Sequence, residues 1–144
     1  MEINEIAKSA NEMLRLGILG FFSYYVALGA TQFADIIANN KNRIKSKDEL
    51  DKVVSEEAEK LGLDGNKIKT RFLDLADGYF LGYISGNKDG DIELSMPRKF
   101  GCTRSTVKHE LVHVANKDYE HGIFHYLFIG EPKATLYGTF GIKV

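Results

Sequence analysis

The sequence predicts an α+β domain that follows an apolar helical extension. Segments with helical spacing of apolar residues stand at both ends of the chain, whereas the segments typical of strands are grouped between them. Grouped helices and grouped strands favour α+β, because an α/β sheet would need the two to alternate. The 144 residues suffice for one domain with an extension, and we place the boundary between residues 1–40 and 41–144.

The extension contains an uncharged stretch over residues 16–34. This length is enough to consider a membrane span. Polar side chains and glycines interrupt the stretch, which favours a helix that is buried or faces a partner. We therefore expect a cytoplasmic protein, with membrane association through residues 16–34 as the alternative. In that case the four basic residues that follow, Lys41, Arg43, Lys45 and Lys47, would keep the rest of the chain in the cytosol.

A second helix is predicted to begin at Ser46 and to end at Gly62. The sequence Ser-Lys-Asp-Glu over residues 46–49 has the form of a capping box, in which a hydroxyl caps the first turn and a carboxylate reaches back. Apolar residues then recur at helical spacing. Glycine is a common helix stop, because it adopts the left-handed conformation readily.

Strands are predicted over residues 69–73, 79–85 and 92–96. The turn-rich residues 86–90 join the last two segments as a hairpin, and Pro97 ends the second of them. A helix capped by Thr103 or Ser105 is predicted to run to about residue 116. A final helix is predicted over Glu131–Phe140, where Pro132 stands near the start and its missing N–H costs nothing.

Composition excludes several function classes. The net charge of −1 gives no basic field for nucleic acid, so we expect no nucleic-acid partner. The single cysteine, Cys102, can form neither an internal disulfide nor a cysteine-based zinc framework. We interpret it as a small buried side chain, with a thiolate that blocks a metal as the alternative.

The strongest motif is HExxH, formed by His109-Glu110-Leu111-Val112-His113. Residues four apart share one face of a helix, so the two imidazoles can bind one tetrahedral ion. Glu110 then lies near the open coordination position, where it can accept a proton from an attacking water. Val107, Leu111 and Val114 form an apolar face roughly opposite the histidines, so the back of this helix can be buried.

Catalytic zinc usually has three protein ligands and a water. We favour Glu131 as the third ligand, because a carboxylate on a following helix can reach a metal held by the first. His121 or His125 is the alternative, and Glu120 is a further candidate. Another interpretation of Glu131 is a charge that suits a helix N-terminus.

The HExxH motif followed by Glu131-Pro132-Lys133-Ala134 resembles the gluzincin metallopeptidases, in which a glutamate on a later helix completes the zinc site. The chain looks most similar to the minimal soluble gluzincins, which resemble the catalytic domains of integral-membrane metallopeptidases. The resemblance covers about residue 80 to the C-terminal end. It implies a zincin-like fold, Zn²⁺, peptide-bond hydrolysis, and strand 92–96 as a rim that pairs with an extended substrate.

The sequence departs from this family at one position. Many gluzincins carry an aspartate four residues after the zinc glutamate, and Thr135 stands there. Asp118 or Asn116 could instead hold a zinc histidine, which needs a partner for its second nitrogen. For stabilising the oxyanion we would test Tyr137 first, because it shares the helix of Glu131. Further candidates are Tyr119, His121, His125 and Tyr126.

These observations predict a zinc-dependent metallopeptidase that acts on peptide or protein substrates. His109, His113 and Glu131 are the expected metal ligands, and Glu110 and Tyr137 are the expected catalytic residues. The alternative is a non-catalytic or latent zinc-binding protein with a regulatory or interaction role. A structural site of that kind would be closed by four protein ligands.

Overall fold

A computed structural model describes residues 3–74, 82–86, 91–99 and 101–142 of the chain. It confirms the α+β fold class, which is mostly helical with one small sheet. In chain order the elements are α1 (Ile3–Asn39), α2 (Lys47–Leu61), β1 (Ile68–Leu73), β2 (Tyr83–Gly86), β3 (Ile92–Pro97), α3 (Arg104–Ala115), α4 (Ile123–His125) and α5 (Glu131–Phe140).

The chain divides into two compact units, residues 1–31 and 32–144. The division falls within α1, so the last two turns of this helix belong to the second unit. In the first unit, apolar side chains from residue 13 onward are largely exposed. The segment Asn11–Asn42 is long and apolar enough to cross a membrane, and its 18-residue apolar window has a mean hydropathy of 1.4 and no buried residue. Core helices and signal sequences can share this length and composition.

Helix α2 has the predicted ends. The hydroxyl of Ser46 accepts a hydrogen bond from the backbone N–H of Glu49 at 3.2 Å. The carboxylate of Glu49 reaches back to the N–H of Lys45 at 3.0 Å, which is one residue before the cap. The first bond satisfies a donor that the helix start leaves free, and the second ties the preceding residue to the first turn. Gly62 ends the helix in the left-handed conformation, with φ at 73°.

The sheet has the strand order β1-β3-β2. Strand β2 pairs antiparallel with β3, which confirms the predicted hairpin pairing, although the turn residues 87–90 and the first residues of the predicted strand 79–85 lie outside the described part. Strand β1 pairs parallel with β3, with Ile68 opposite Ile92 and Leu73 opposite Pro97. Strand β3 is therefore the middle strand of the three.

The core lies where α2, the sheet and α3 meet, and its central side chains come from all three. The apolar face predicted for α3 is confirmed, since Val107, Leu111 and Val114 are buried. A smaller cluster of Val112, Ala134 and Tyr137 joins α3 to α5. Burial of the back of α3 fixes the direction in which its opposite face points.

The segment before α5 differs from the sequence prediction. Residues 123–140 are helical throughout, with a π turn over Tyr126–Gly130 between α4 and α5. The N–H of Glu131 donates to the carbonyl of Tyr126, five residues back. Pro132 explains the widened turn, because its ring would clash with the carbonyl four residues before it. Glu131 therefore sits within a continuous helical segment, so a role at a free helix N-terminus does not describe it.

Thr103 is the cap of α3, and its replacement tests how this helix is held. Its buried hydroxyl accepts from the N–H of Thr106 at 3.2 Å. We expect Thr103→Ala to lower the free energy of unfolding by about 1 kcal/mol, because the cap hydrogen bond is lost. Thr103→Ser keeps the hydroxyl and should lose less than half of that in urea unfolding. Equal losses in the two variants would contradict the capping role.

Candidate metal centre

Helix α3 brings the three polar residues of the HExxH motif to one side of the core. His109 and His113 are one turn apart, and their Nε2 atoms approach to 3.3 Å. The two rings meet edge to face, with centroids 4.9 Å apart. Both imidazoles thus present the same nitrogen to one point.

Glu131 comes to that point from α5. Its carboxylate oxygens lie 3.5 Å from Nε2 of His109 and 3.6 Å from Nε2 of His113. Within the described residues, these three side chains form a group whose ligand atoms all lie within 4.8 Å of one another. Two imidazoles and one carboxylate are a donor set that could hold a divalent metal ion.

The close approach of α5 to α3 depends on Gly138. A Cβ at this position would lie 2.9 Å from Cβ of His109 and 3.0 Å from the carbonyl oxygen of Ser105. The hydroxyl of Ser105 donates to the carbonyl of Gly138 at 2.7 Å, which ties the two helices together. Sequence reasoning did not identify Gly138, although a glycine in a helix interior is a signal of close packing.

The alternative third ligands are placed elsewhere. Nε2 of His125 lies 3.3 Å from Oδ1 of Asp118. The ring of His121 packs on the ring of His125, with centroids 4.2 Å apart. Glu120 is exposed and lies 4.0 Å from the ammonium group of Lys117. None of the three belongs to the group formed by the ligand atoms of His109, His113 and Glu131 within the described chain.

Asp118 holds His113 from behind. Its Oδ2 lies 2.8 Å from Nδ1 of His113, and both side chains are buried. A proton on Nδ1 leaves Nε2 free for a metal, so this pairing selects the useful tautomer. Of the two residues considered from sequence, Asp118 and Asn116, the aspartate makes the contact. Gly130 permits it, because a Cβ there would lie 2.6 Å from Oδ2.

His109 has different neighbours behind it. The amide nitrogen of Gln32, on α1, lies 3.4 Å from Nδ1 of His109. The same nitrogen donates to the hydroxyl of Thr135 at 2.8 Å. The ring of His109 is also hydrogen-bonded to the backbone of Ala134. Gln32 was not identified from the sequence, because nothing in a helix of α1's composition marks one amide as a neighbour of a residue 77 positions away.

Burial controls the charges of the site in the metal-free protein. Desolvation, with a smaller contribution from the negative charge of Glu131, raises the pKa of Glu110 to about 8. Desolvation lowers the pKa of His109 to about 4, against the opposing effect of Glu131. At neutral pH this histidine is therefore neutral, which is the form that binds metals.

Two tyrosines flank the site differently. The ring of Tyr126 stacks on the ring of His113, with centroids 4.8 Å apart and planes at 17°. Burial raises the pKa of the Tyr126 hydroxyl above its usual range, and the charge and hydrogen-bonding carboxylate of Glu131 add to the effect. Tyr137 is buried beside Val112 and Ala134, and the ammonium of Lys108 lies 5.9 Å from its ring centroid.

A cleft of about 260 Å³ opens beside Glu110 and His113. Tyr119 and Tyr126 form one part of its lining, and Gly82, just before β2, and Ile84, in β2, form another. The resemblance implied that strand 92–96 would be the rim. That expectation is wrong about the position of the strand in the sheet, because β3 is hydrogen-bonded on both sides, to β1 and β2. Among the described strands, β2 is the edge strand that lines the cleft.

Cys102 is fully buried, and desolvation raises the pKa of its thiol to about 12. A neutral thiol in an apolar cluster packs as a small hydrophobic side chain. This favours the first interpretation of Cys102 over a thiolate that blocks a metal.

Comparison with known proteins finds no matching family model, no matching curated protein and no matching solved structure for this chain. Its function is therefore inferred from the chemistry of the site.

The buried carboxyl of Glu110 predicts a pH dependence of stability in the metal-free protein. It keeps its proton up to about pH 8 in the folded state, whereas it ionises near 4.5 when exposed. The folded protein binds more protons in this range, so stability falls as pH rises. His109 opposes this only below its unfolded pKa of 6.5. We expect a loss of up to about 2 kcal/mol between pH 6.5 and pH 8.

Urea unfolding with a chelator present, at several pH values, measures this loss. Glu110→Gln has no carboxyl to ionise and should show a flat profile over the same range. Parallel slopes for the wild-type protein and Glu110→Gln would assign the effect to other groups.

Proposed function

We propose that this chain is a zinc-dependent peptidase of the minimal gluzincin type. One observation carries the proposal: the carboxylate of Glu131 meets the Nε2 atoms of His109 and His113, with Glu110 buried beside them. A coincidental HExxH sequence on a helix would not require a carboxylate from another helix at the same point.

The donor set suits zinc. Two neutral imidazoles and a carboxylate form an established catalytic set, which leaves a coordination position for water or substrate. Asp118 orients His113 through Nδ1, as carboxylates do for metal-ligating histidines in many proteins. A closed structural site would need a fourth protein ligand, and among the described residues neither His121 nor His125 belongs to the ligand group. The arrangement therefore favours catalysis over a purely structural zinc site.

When bound, zinc would polarise the attacking water and the carbonyl of the peptide bond. Glu110 would accept the proton of that water and then donate it to the departing amine. A nearby cation lowers the pKa of a carboxyl group, as an opposite charge favours ionisation. The protonated Glu110 of the metal-free protein would thus become the ionised base that the reaction needs.

The substrate would bind as an extended peptide along the edge of β2. Peptides add to exposed strand edges through main-chain hydrogen bonds, with side chains in adjacent pockets. Gly82 lies where this edge meets Glu110, because a Cβ there would lie 2.7 Å from Cγ of Glu110. For stabilising the oxyanion we now place Tyr126 before Tyr137, since the ring of Tyr126 stacks on His113 and its hydroxyl bonds Glu131.

Zinc content tests the ligand set. We expect about one zinc per chain in the wild-type protein, and its loss in Glu131→Ala, because the site would keep only two ligands. Glu120→Ala is the matched control, since it removes an exposed carboxylate that lies outside the ligand group. Equal zinc content in both variants by elemental analysis would reject Glu131 as a ligand.

Peptidase activity tests the base. Glu110→Gln should keep its zinc and lose about 10²- to 10⁴-fold in kcat on a peptide substrate, because the proton acceptor is removed. A metal-content measurement on the same sample separates loss of the base from loss of the ion. Turnover at the wild-type rate by this variant would exclude the mechanism.

We further propose that the first unit attaches the protein to a membrane. Exposed apolar side chains occupy all sides of α1 over residues 13–31, and a helix apolar on all sides suits lipid rather than one protein surface. These residues would span about 28 Å, close to the roughly 30 Å of a bilayer core. Gln32 is hydrogen-bonded to Thr135, so the span must end before Gln32. It therefore covers residues 13–31 and not the residues 16–34 expected from the sequence. Arg15, near one end, can extend its charge to the interface.

The charges around the segment favour one orientation. Lys41, Arg43, Lys45 and Lys47 follow it within about 16 residues, which is the range over which basic residues set topology. The second unit would then stand on the cytosolic side, and anionic headgroups would attract this basic run.

Arginine scanning tests the span. Tyr24 and Val26 are exposed and lie about 200° apart around the helix axis. We expect Tyr24→Arg and Val26→Arg each to reduce the fraction that floats with phospholipid vesicles and resists alkaline carbonate, because both sides would face lipid. Phe140→Arg, at an exposed apolar residue of α5, is the control and should float like the wild-type protein. Sensitivity at one position only would indicate a protein partner, and a wild-type protein that stays in the aqueous fraction would reject the span.

A further inference from the structure

The side chain of Gln32 stands between two residues of the second unit that are far from it in sequence. Its amide nitrogen donates to Oγ1 of Thr135 at 2.8 Å and lies 3.4 Å from Nδ1 of His109. Thr135 is buried, and the imidazole of His109 is mostly buried. The amide is therefore held by the hydroxyl of a buried residue, beside Nδ1 of His109, whereas Glu131 lies near Nε2 of the same ring.

A metal bound through Nε2 of His109 requires a proton on Nδ1, since a neutral imidazole has one donor and one acceptor nitrogen. That N–H needs an acceptor. Turned by half a rotation about its last bond, the amide of Gln32 places its oxygen where the nitrogen now lies. The oxygen can then accept from Nδ1 of His109 and from the hydroxyl of Thr135 at the same time.

We propose that Gln32 is a positioning residue of the metal centre, and that through it the end of α1 forms part of the site. This inference rests on the proposed function, because it assigns Gln32 a role towards the metal that His109, His113 and Glu131 would hold. Gln32 and Thr135 would do together for His109 what Asp118 does for His113. The position where many gluzincins carry an aspartate would thus be served by a threonine that fixes a glutamine from another helix.

The backbone of Ala134 also bonds the ring of His109. The partner of the ring in this bond is a main-chain group, so replacing the side chain of Gln32 does not remove it. Any change on replacement of Gln32 therefore measures its own share of the orientation. The arrangement also makes a second side chain informative, because the hydroxyl of Thr135 is hydrogen-bonded to the amide of Gln32.

The test is the zinc affinity of the full chain, measured against a competing chelator. Loss of such an outer partner typically weakens metal binding 10- to 100-fold, and we expect Gln32→Ala to raise the Kd for Zn²⁺ about 10-fold or more. Gln32→Glu keeps an acceptor and should stay within a few-fold of the wild-type Kd. Thr135→Val should weaken binding less than Gln32→Ala, and adding it to Gln32→Ala should change nothing further.

Asn39→Ala is the matched control. Asn39 carries an amide on the same helix. Its amide nitrogen donates to the carbonyl and to the carboxylate of Asp35, one turn earlier. Its replacement should leave the zinc Kd unchanged. A Kd for Gln32→Ala equal to that of Asn39→Ala, or a Gln32→Glu variant as weak as Gln32→Ala, would overturn the positioning role.

Nitrogen NMR of His109 in the metal-free protein supplies a readout that a purely structural role would not move. Gln32→Ala should lower the fraction of the ring protonated on Nδ1, whereas Asn39→Ala should not. An unchanged tautomer in Gln32→Ala would contradict the inference. Absence of zinc from the wild-type protein would overturn the proposed function instead, and the tautomer would still decide whether Gln32 orients the ring.

Discussion

The contact between α3 and α5 at Gly138 is the constraint on which the site depends. Because Gly138 has no side chain, α5 comes close to His109 on α3. Glu131, two turns before Gly138 on α5, can therefore reach the imidazoles. The apolar back of α3 is anchored in the core through Val107 and Leu111, so the helix cannot rotate away. Packing on one side of α3 thus fixes the geometry of polar groups on the other.

Once these helices meet, the electrostatics of the site follow from burial. Glu110, Asp118 and Glu131 bring three carboxyl groups around the two imidazoles, in a region with little access to water. Burying carboxylates without a compensating positive charge is costly, and the raised pKa of Glu110 shows how the metal-free protein avoids that cost. A divalent cation would remove the same cost by another route. The proposed metal ion would therefore stabilise the site that binds it.

The segment that carries Glu131 shows how backbone geometry serves the same arrangement. Pro132 prevents a regular turn, so the helix widens over Tyr126–Gly130 and Glu131 donates five residues back. Within this turn, Tyr126 stacks on His113 and Gly130 allows Asp118 to reach it. π turns often occur at functional sites because they change the direction of side chains without ending a helix. Here one irregular turn contributes both to the stacking on the ring of His113 and to the contact at its Nδ1.

The sequence by itself determined the local structure. Helical spacing and the capping residues placed α2, α3 and α5, and the turn-rich residues after β2 predicted its pairing with β3, because these features depend on neighbours within a few residues. The HExxH spacing likewise determined that His109 and His113 share a face. The tertiary structure decided which distant groups meet them: Glu131 rather than His121 or His125 near both rings, Asp118 behind His113, and Gln32 behind His109. Among the described strands it also decided that β3 is the middle one and β2 an edge, because the parallel pairing of β1 joins segments far apart in sequence. Such contacts depend on the packing of whole elements, and no local pattern of residue types records them.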